Sequence, residues 1–304
     1  MAPDGYAWWY VDGLSDDGRY GLTVIAFIGS VFSPYYARAR RRGPADPLDH
    51  CAVNVVLYGT RGKSRAKRWA MTERGRSQVS RSDREFRVGN SNLAFDGESL
   101  SIEIDERCVP IPHRLRGTVR IRPHILGTES YAIDPAGRHI WRPVMPSARI
   151  DVAMSDPDVS WSGHGYVDHN RGSAPLERDF ASWTWSRMTL RDGTAILYDT
   201  QPRYGPPVSL ALRYGVNSAV ERFTPPAPVT LPKTAWRIAR MVRSETASDA
   251  TIRTLEDTPF YARSAVRARL CGEPVSGMHE SLSLDRFASP IVQMMLPFRM
   301  PRRG

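Results

Sequence analysis

The chain has 304 residues, 41% hydrophobic, 24% charged and 10% aromatic, a globular composition that excludes a disordered or collagen-like polymer. Forty-two Lys and Arg against 32 Asp and Glu leave a net charge of +10, so anionic surfaces attract this protein. Its three cysteines, Cys51, Cys108 and Cys271, are an odd number without a CxxC pair, which argues against a disulfide framework or a cysteine-built zinc site and for a reducing compartment.

The opening MAPDGYAWWYVDGLSDDG carries acidic residues and lacks a basic region followed by an apolar one, so it does not read as a secretory signal and a cytoplasmic location is expected. Tyr6 to Tyr10 reads as a Trp-rich strand start, and Asp12, Asp16 and Asp17 as an exposed turn. Tyr20 to Ala37 is uncharged for 18 residues, at the lower edge of what spans a bilayer. Gly29, Ser30, Ser33 and Pro34 turn that reading toward a buried strand and loop.

Two basic runs follow, Arg38, Arg40, Arg41 and Arg42, then Arg61, Lys63, Arg65, Lys67 and Arg68, separated by an apolar strand at Ala52 to Tyr58. Such runs meet phosphates or are simply solvated. No zinc-finger spacing, KH-type loop or aromatic RNP-like strand accompanies them, so lipid headgroups are favoured over nucleic acid.

Strand-length apolar or alternating runs continue at Leu100 to Ile104, Leu115 to Ile121, Trp183 to Leu190, Ala195 to Tyr198 and Val208 to Tyr214. Asp-Gly turns at Asp17-Gly18, Asp96-Gly97 and Asp192-Gly193 suit antiparallel hairpins rather than βαβ units. The 24 prolines and 23 glycines break any long helix. The expectation is a mainly β protein with few short helices. Phe223 to Pro232 reads as an extended connector or edge, and a boundary near Arg171 to Arg178 divides the chain into domains 1–174 and 175–304.

Nucleotide, zincin, serine-hydrolase and EF-hand signatures are missing, so neither a nucleotide nor a tightly bound metal is indicated. What remains is polar residues set in aromatic sequence: GRHIWRP, Gly137 to Pro143, and WSGHGYVDHN, Trp161 to Asn170. On a strand, residues two apart share a side, so His139 and Trp141 share one face and Tyr166 and Asp168 another. If both faces look into one barrel interior, an acid, an imidazole and two rings surround an apolar cavity. That set suits protonation of a carbon–carbon double bond, because an alkene is a feeble base and needs an acid kept neutral by desolvation. The resulting cation is stabilised by ring faces. Plainer readings stand beside this one: Asp168 as a turn residue, Trp141 and Tyr166 as core, and His139, His164 and His169 as a metal site.

At these residues the chain resembles the carotenoid 1,2-hydratases, or hydroxyneurosporene synthases, of purple photosynthetic bacteria. The shared motifs run end to end: GYAWWYVD from Gly5, SDDG from Ser15, GSVFSPYYA from Gly29, RWAMTERGR from Arg68, RHIWRP from Arg138, GYVDHN from Gly165, WTWSR from Trp183, then HESLSLDRF and LPFRMPR. The resemblance implies tandem lipocalin-like antiparallel β-barrels. It also implies a cofactor-free, metal-free addition of water across the terminal C1=C2 bond of acyclic carotenoids such as neurosporene and lycopene. It carries to Asp168 the role of proton donor, supported by His139, Trp141 and Tyr166. The implied partners are the carotenoid, water and an anionic membrane surface, with peripheral association at the inner photosynthetic membrane; the oligomeric state stays open. A non-catalytic carotenoid carrier and a terpenoid isomerase or cyclase are the competing functions on the same scaffold.

Overall fold

The computed structural model describes residues 1–59, 67–216 and 220–303. Two compact units divide the chain: Met1–Ser130, Trp141–Pro175 and Met294–Gly304 form the first, and Tyr131–Ile140 with Leu176–Gln293 the second.

The first unit is built from β1 (Tyr6–Ser15), β2 (Gly21–Ile28), β3 (Cys51–Tyr58), β4 (Arg68–Arg74), β5 (Val79–Arg81), β6 (Glu85–Val88), β7 (Ser91–Phe95), β8 (Leu100–Arg107) and β9 (Arg114–Ile125). After the two-residue β10 (Tyr131–Ala132) come the long β11 (His139–Asp156) and β12 (Asp158–Gly172). The sheet order is β4-β3-β2-β1-β12-β11-β9-β8-β7-β6-β5, with a short C-terminal strand, Arg302–Arg303, added parallel to β4. The sheet curls: Arg74 of β4 donates to Glu106 of β8 at 3.3 Å, and Arg68 donates to the carbonyl of Arg114 on β9 at 2.8 Å.

Alternation decides what fills the curl. Val11, Leu22, Val24, Val53, Val55, Ile102, Val119, Ile150 and Val167 all join one aliphatic core, as period-two patterning of β-branched residues on a curled sheet requires. Close approach demands glycine at two places. A Cβ on Gly29, which has φ +62°, would lie 2.5 Å from the carbonyl oxygen of Gly5, and one on Gly163 would lie 1.9 Å from that of Leu14.

The uncharged stretch Tyr20 to Ala37 is strand β2, the turn at Gly29, and the start of helix α1 (Pro34–Arg40), whose first turn is capped by the Ser33 hydroxyl accepting from the Tyr35 and Tyr36 amides. Among the described residues, no helix is long and apolar enough to cross a membrane. All three cysteines are free. Of the second basic run, Arg61, Lys63 and Arg65 lie outside the described residues. Arg68 is spent on the fold, since it also pairs with Asp156 at 2.6 Å.

In the second unit helix α2 (Leu176–Asp179) leads into β13 (Phe180–Leu190) and β14 (Gly193–Pro202). The sheet is completed by β15 (Val208–Gly215), β16 (Val220–Arg222), β19 (Thr251–Asp257), β20 (Tyr261–Leu270) and β21 (Glu273–Ser283), in the order β16-β15-β14-β13-β21-β20-β19. Its core gathers Met188, Leu190, Leu197, Val266, Leu270 and Val275. The proline-rich stretch contains a separate strand, β17 (Pro228–Leu231), paired with β18 (Arg240–Arg243). Prolines suit that role because an edge pairing leaves backbone groups that need no donor. Short helices α3 (Leu284–Phe287) and α4 (Pro290–Met295) follow β21. The architecture is mainly β with curled antiparallel sheets and few short helices, as expected.

Candidate active site

Strands β1 and β12 pair antiparallel with Trp8 opposite Asn170, Tyr10 opposite Asp168, and Asp12 opposite Tyr166. These six residues therefore share one face, while Val11 and Val167 on the other join the aliphatic core. The site-bearing face of these two strands is thus opposite the one that joins the aliphatic core. Val, Ile and Leu at the alternate positions claim the inside, so the polar and aromatic members are left for the outer face. That face is closed to solvent all the same: Tyr166 is 0%, Asp168 4% and Asn170 3% exposed.

Asp168 is the focus of this face. Its Oδ2 accepts from the indole Nε1 of Trp141 at 3.0 Å and from the hydroxyl of Tyr166 at 2.9 Å. Its Oδ1 accepts from the amide nitrogen of Asn170 at 3.0 Å. Tyr10 meets the Tyr166 ring edge-on, with centroids 6.1 Å apart. Of the three expected supporting residues, Trp141 and Tyr166 are therefore brought directly onto Asp168.

Two influences oppose each other at this carboxyl: burial favours the neutral acid, and hydrogen bonds donated to it favour the carboxylate. Their balance is adjustable, because a hydroxyl and an amide can each turn from donor to acceptor, whereas the indole N–H of Trp141 only donates. Among the described residues, the Oδ1 of Asn170 is buried without a hydrogen-bond partner. Turning the amide would aim that oxygen at a protonated Asp168, so the surroundings can serve both protonation states. A group that gives up a proton and regains it in each cycle needs such partners.

His139 opens β11 in the second unit and is wholly buried. Its Nε2 lies 2.7 Å from Oδ2 of Asp179, which also takes a two-pronged contact from Arg138 at 2.7 and 3.0 Å. Its backbone N–H donates to Asp134 at 2.8 Å, and its ring packs on Phe180 with centroids 4.8 Å apart. A carboxylate engaged with Arg138 accepts rather than donates, so Nε2 carries the hydrogen and Nδ1 is the basic nitrogen. Burial pulls the imidazole below its ordinary value, against the upward pull of Asp179, so the neutral ring is favoured. A carboxylate that orients a neutral imidazole is the arrangement of a general base.

The other two histidines go elsewhere. His164 is exposed, with Asp16 at 3.9 Å, and His169 packs at a tilt against Trp9, with ring centroids 5.0 Å apart, where burial drives it down to about 4. Among the described residues, no cluster of three His, Cys, Asp or Glu could hold a metal. Asp12 corrects another expectation: it is fully buried on the Asp168 face, while Asp16 and Asp17 do sit in the exposed turn. Strand β1 simply runs on to Ser15.

Asn170, Asp134 and Asp179 carry no role in the sequence reading, and Asp12 carries only that of a turn residue. Asn170 was within reach of the two-residue rule that found Tyr166 and Asp168. Asp179 was not, since it meets His139 from 40 residues away with no local pattern to mark it.

A family model described as carotenoid hydratase CrtC matches residues 24–304. This chain belongs to the CrtC carotenoid hydratase family. Within that family, the acyclic carotenoid 1,2-hydratase of Thiocapsa roseopersicina is 53% identical, covering 100% of this chain and 75% of the relative. The acyclic carotenoid 1,2-hydratase of Rubrivivax gelatinosus is 50% identical with the same coverage. That of Rhodobacter capsulatus is 39% identical over 92% of this chain and 98% of its own length. These named relatives support a carotenoid 1,2-hydratase function for this CrtC-family chain.

Solved structures extend the likeness to fold alone. A Nitrosomonas europaea protein of AttH type aligns with TM-score 0.63 and 15% identity over 91% of this chain and 92% of its own. CghA bound to Sch210972 aligns with TM-score 0.53 and 13% identity, over 93% and 89%. The AttH neighbour agrees with the lipocalin-like β architecture.

Proposed function

We propose that this protein adds water across the terminal C1=C2 bond of acyclic carotenoids such as neurosporene and lycopene, giving tertiary 1-hydroxy products. The observation that carries the reading is the convergence of Trp141, Tyr166 and Asn170 on the buried carboxyl of Asp168. In the first step the Asp168 O–H bond breaks as the alkene π pair forms a C2–H bond, leaving a tertiary cation at C1 and a carboxylate. The faces of Trp141 and Tyr166 stabilise that cation, each ring contributing about 0.5–2 kcal/mol. The carboxylate is held meanwhile by the same three donors.

Water then forms the C1–O bond and releases its second proton to the Asp168 carboxylate or to His139. The role of His139 rests on the HxW motif and on Asp179, which leaves Nδ1 as the basic nitrogen. This is general acid–base catalysis. Addition of water neither oxidises nor reduces the substrate overall, so the scheme calls for no redox cofactor, and protonation by Asp168 calls for no metal. A carotenoid resides in lipid, so peripheral association with an anionic membrane is part of the proposal; Arg38, Arg41 and Arg42 are exposed at the end of α1.

The test is incubation of the protein with lycopene in detergent micelles, in water enriched in heavy oxygen and without added cofactor. Labelled tertiary alcohol is the expected product. Unchanged lycopene that stays bound would favour a carrier, and an isomerised or cyclised product without added oxygen would favour a terpenoid isomerase or cyclase.

A further inference from the structure

Exposed apolar side chains in a folded protein are unremarkable singly and informative when contiguous. Helix α4 and the turn after it carry four of them at helical spacing. Ile291 is 68%, Met294 69%, Met295 41% and Phe298 78% exposed, at positions i, i+3, i+4 and i+7. The same segment is pinned from behind by Val292, Leu296 and Met300, which are 7%, 8% and 4% exposed. An ordinary surface helix shows its polar side to water; this one is apolar on both sides and buries only one.

The segment is also cationic. From Ala288 to Arg303 there are three arginines and no acidic residue. Arg299 and Arg303 are exposed, and Arg299 is set above the indole of Trp69 at 4.7 Å. The pairing of Arg302–Arg303 with β4 and the contacts of Arg302 to Asp49 and Glu73 tie the segment's C-terminal end to the first unit's sheet. The apolar face is thus presented by anchored chain rather than by a dangling tail.

We propose that the stripe formed by Ile291, Met294, Met295 and Phe298 inserts into the hydrocarbon boundary of an anionic bilayer, with Arg299 and Arg303 at headgroup level. The choice of a bilayer over a second copy of the chain rests on the carotenoid reading above and on the charge of the rim. An apolar stripe that enters acyl chains with cations at its edge is the design of an interfacial helix. The exposed arginines of α1 offer charge without apolar area, so in this proposal insertion belongs to the C-terminal segment and long-range attraction to both.

The experiment is flotation of the whole protein with vesicles of phosphatidylcholine alone and of phosphatidylcholine with phosphatidylglycerol, for wild type and for the double variant Met294→Ser, Phe298→Ser. Wild type is expected to float with the anionic vesicles, and more weakly with the neutral ones. The double variant is expected to lose about a hundredfold in vesicle affinity, since two large apolar side chains no longer leave water. Its melting temperature and its turnover of detergent-dispersed lycopene should be unchanged, because both residues are exposed and lie outside the catalytic set. Phe298→Trp should show a blue-shifted emission on anionic vesicles that brominated lipids quench.

Equal flotation of wild type and double variant would overturn the proposal, as would failure of wild type to float. So would a wild-type dimer in sedimentation that the double variant converts to monomer, since the stripe would then be covered by a second copy. Inactivity of both proteins toward dispersed lycopene, with flotation as expected, would instead refute the hydratase reading and leave the docking surface standing.

Discussion

Replacing Asp168 by Asn and by Leu separates proton transfer from folding at one position. In Asp168→Asn the remaining carbonyl oxygen can stay toward Trp141 and Tyr166, which now donate to Oδ2 at 3.0 and 2.9 Å. The new amide nitrogen then faces Asn170, whose unpartnered Oδ1 can turn to accept from it. Each of the three surrounding groups keeps a partner, and the loss is that of exchanging charge-assisted for neutral bonds, about 1–2 kcal/mol. For a unit of this size that is a fall of about 2–8 °C in melting temperature. In Asp168→Leu the indole of Trp141, the hydroxyl of Tyr166 and the amide of Asn170 lose the carboxyl that accepts from them, at about 1–3 kcal/mol for each hydrogen bond that is not replaced. Even one or two such losses take a sizeable share of the stability of an ordinary domain.

Hydration behaves differently, since both variants lack the acid and should lose about 10²–10⁴ in rate. Calorimetric melting of the three proteins, with heavy-oxygen incorporation into lycopene as the activity readout, decides. Turnover of Asp168→Asn within tenfold of wild type would show that the acid lies elsewhere. Melting of Asp168→Asn as early as Asp168→Leu would show that the surrounding groups cannot reverse.

Tyr166→Phe removes one of the two donors to Oδ2 and so favours the neutral acid. Because Asp168 works protonated, the alkaline limb of the rate–pH profile should move to higher pH, and an unmoved limb would dissociate Tyr166 from the proton transfer. Asp179→Asn removes the charge that orients His139 and should lower kcat about a hundredfold with little change in KM; an unchanged kcat would count against His139 as the base. The third test concerns stability. His279, wholly buried between Ser186 at 2.8 Å and Ser281 at 3.1 Å, is depressed by burial to about 4. Between the ordinary imidazole value of about 6.5 and that lower value, the unfolded chain holds a proton that the folded one does not, so stability falls with falling pH by about 1.4 kcal/mol per pH unit. His279→Gln keeps a polar partner for both serines and should flatten the acid side of the melting-temperature profile by that one proton. A profile as steep as wild type would mean that His279 is protonated in the fold.

The fold was legible because its signals are local. The strand-length runs at Ala52 to Tyr58 and Val208 to Tyr214, the Asp-Gly turns and the scarcity of helical periodicity each act within a few residues, and the structure turns them into antiparallel strands. The pairing of Tyr166 with Asp168 was legible for the same reason. The orientation of that pair was not, because which face of a strand turns inward depends on the whole sheet. Val11 and Val167 have to be counted with Ile150 and Val53 before the inside is known. Asp12 was misread since an acidic residue next to a turn signal is usually solvated, and only the pairing of β1 with β12 shows it enclosed. Asp179 illustrates the remaining gap: a carboxylate that orients an imidazole is chosen by geometry and carries no spacing rule. The basic run that ends at Arg68 reads in sequence as phosphate-binding or solvated charge, yet Arg68 itself is drawn into ion pairing with Asp156.

The order in which the chain is made now matters. The first unit is assembled from three separate stretches, with residues 176–293 of the second unit between the last two. Strand β1 pairs with β12, and the end of β4 at Glu73 and Arg74 gains its parallel neighbour when Arg302 and Arg303 reach it. At translation rates of about 5–20 residues per second, that edge waits on the order of ten to fifty seconds for its cover. During that interval the Glu73–Arg74 end of β4 lacks the strand that pairs with it in the finished fold, the condition in which strand edges recruit neighbouring chains. Slower translation lengthens the exposure of each nascent chain, so yield of the folded protein should depend on chaperone supply more than on the stability of the finished sheet.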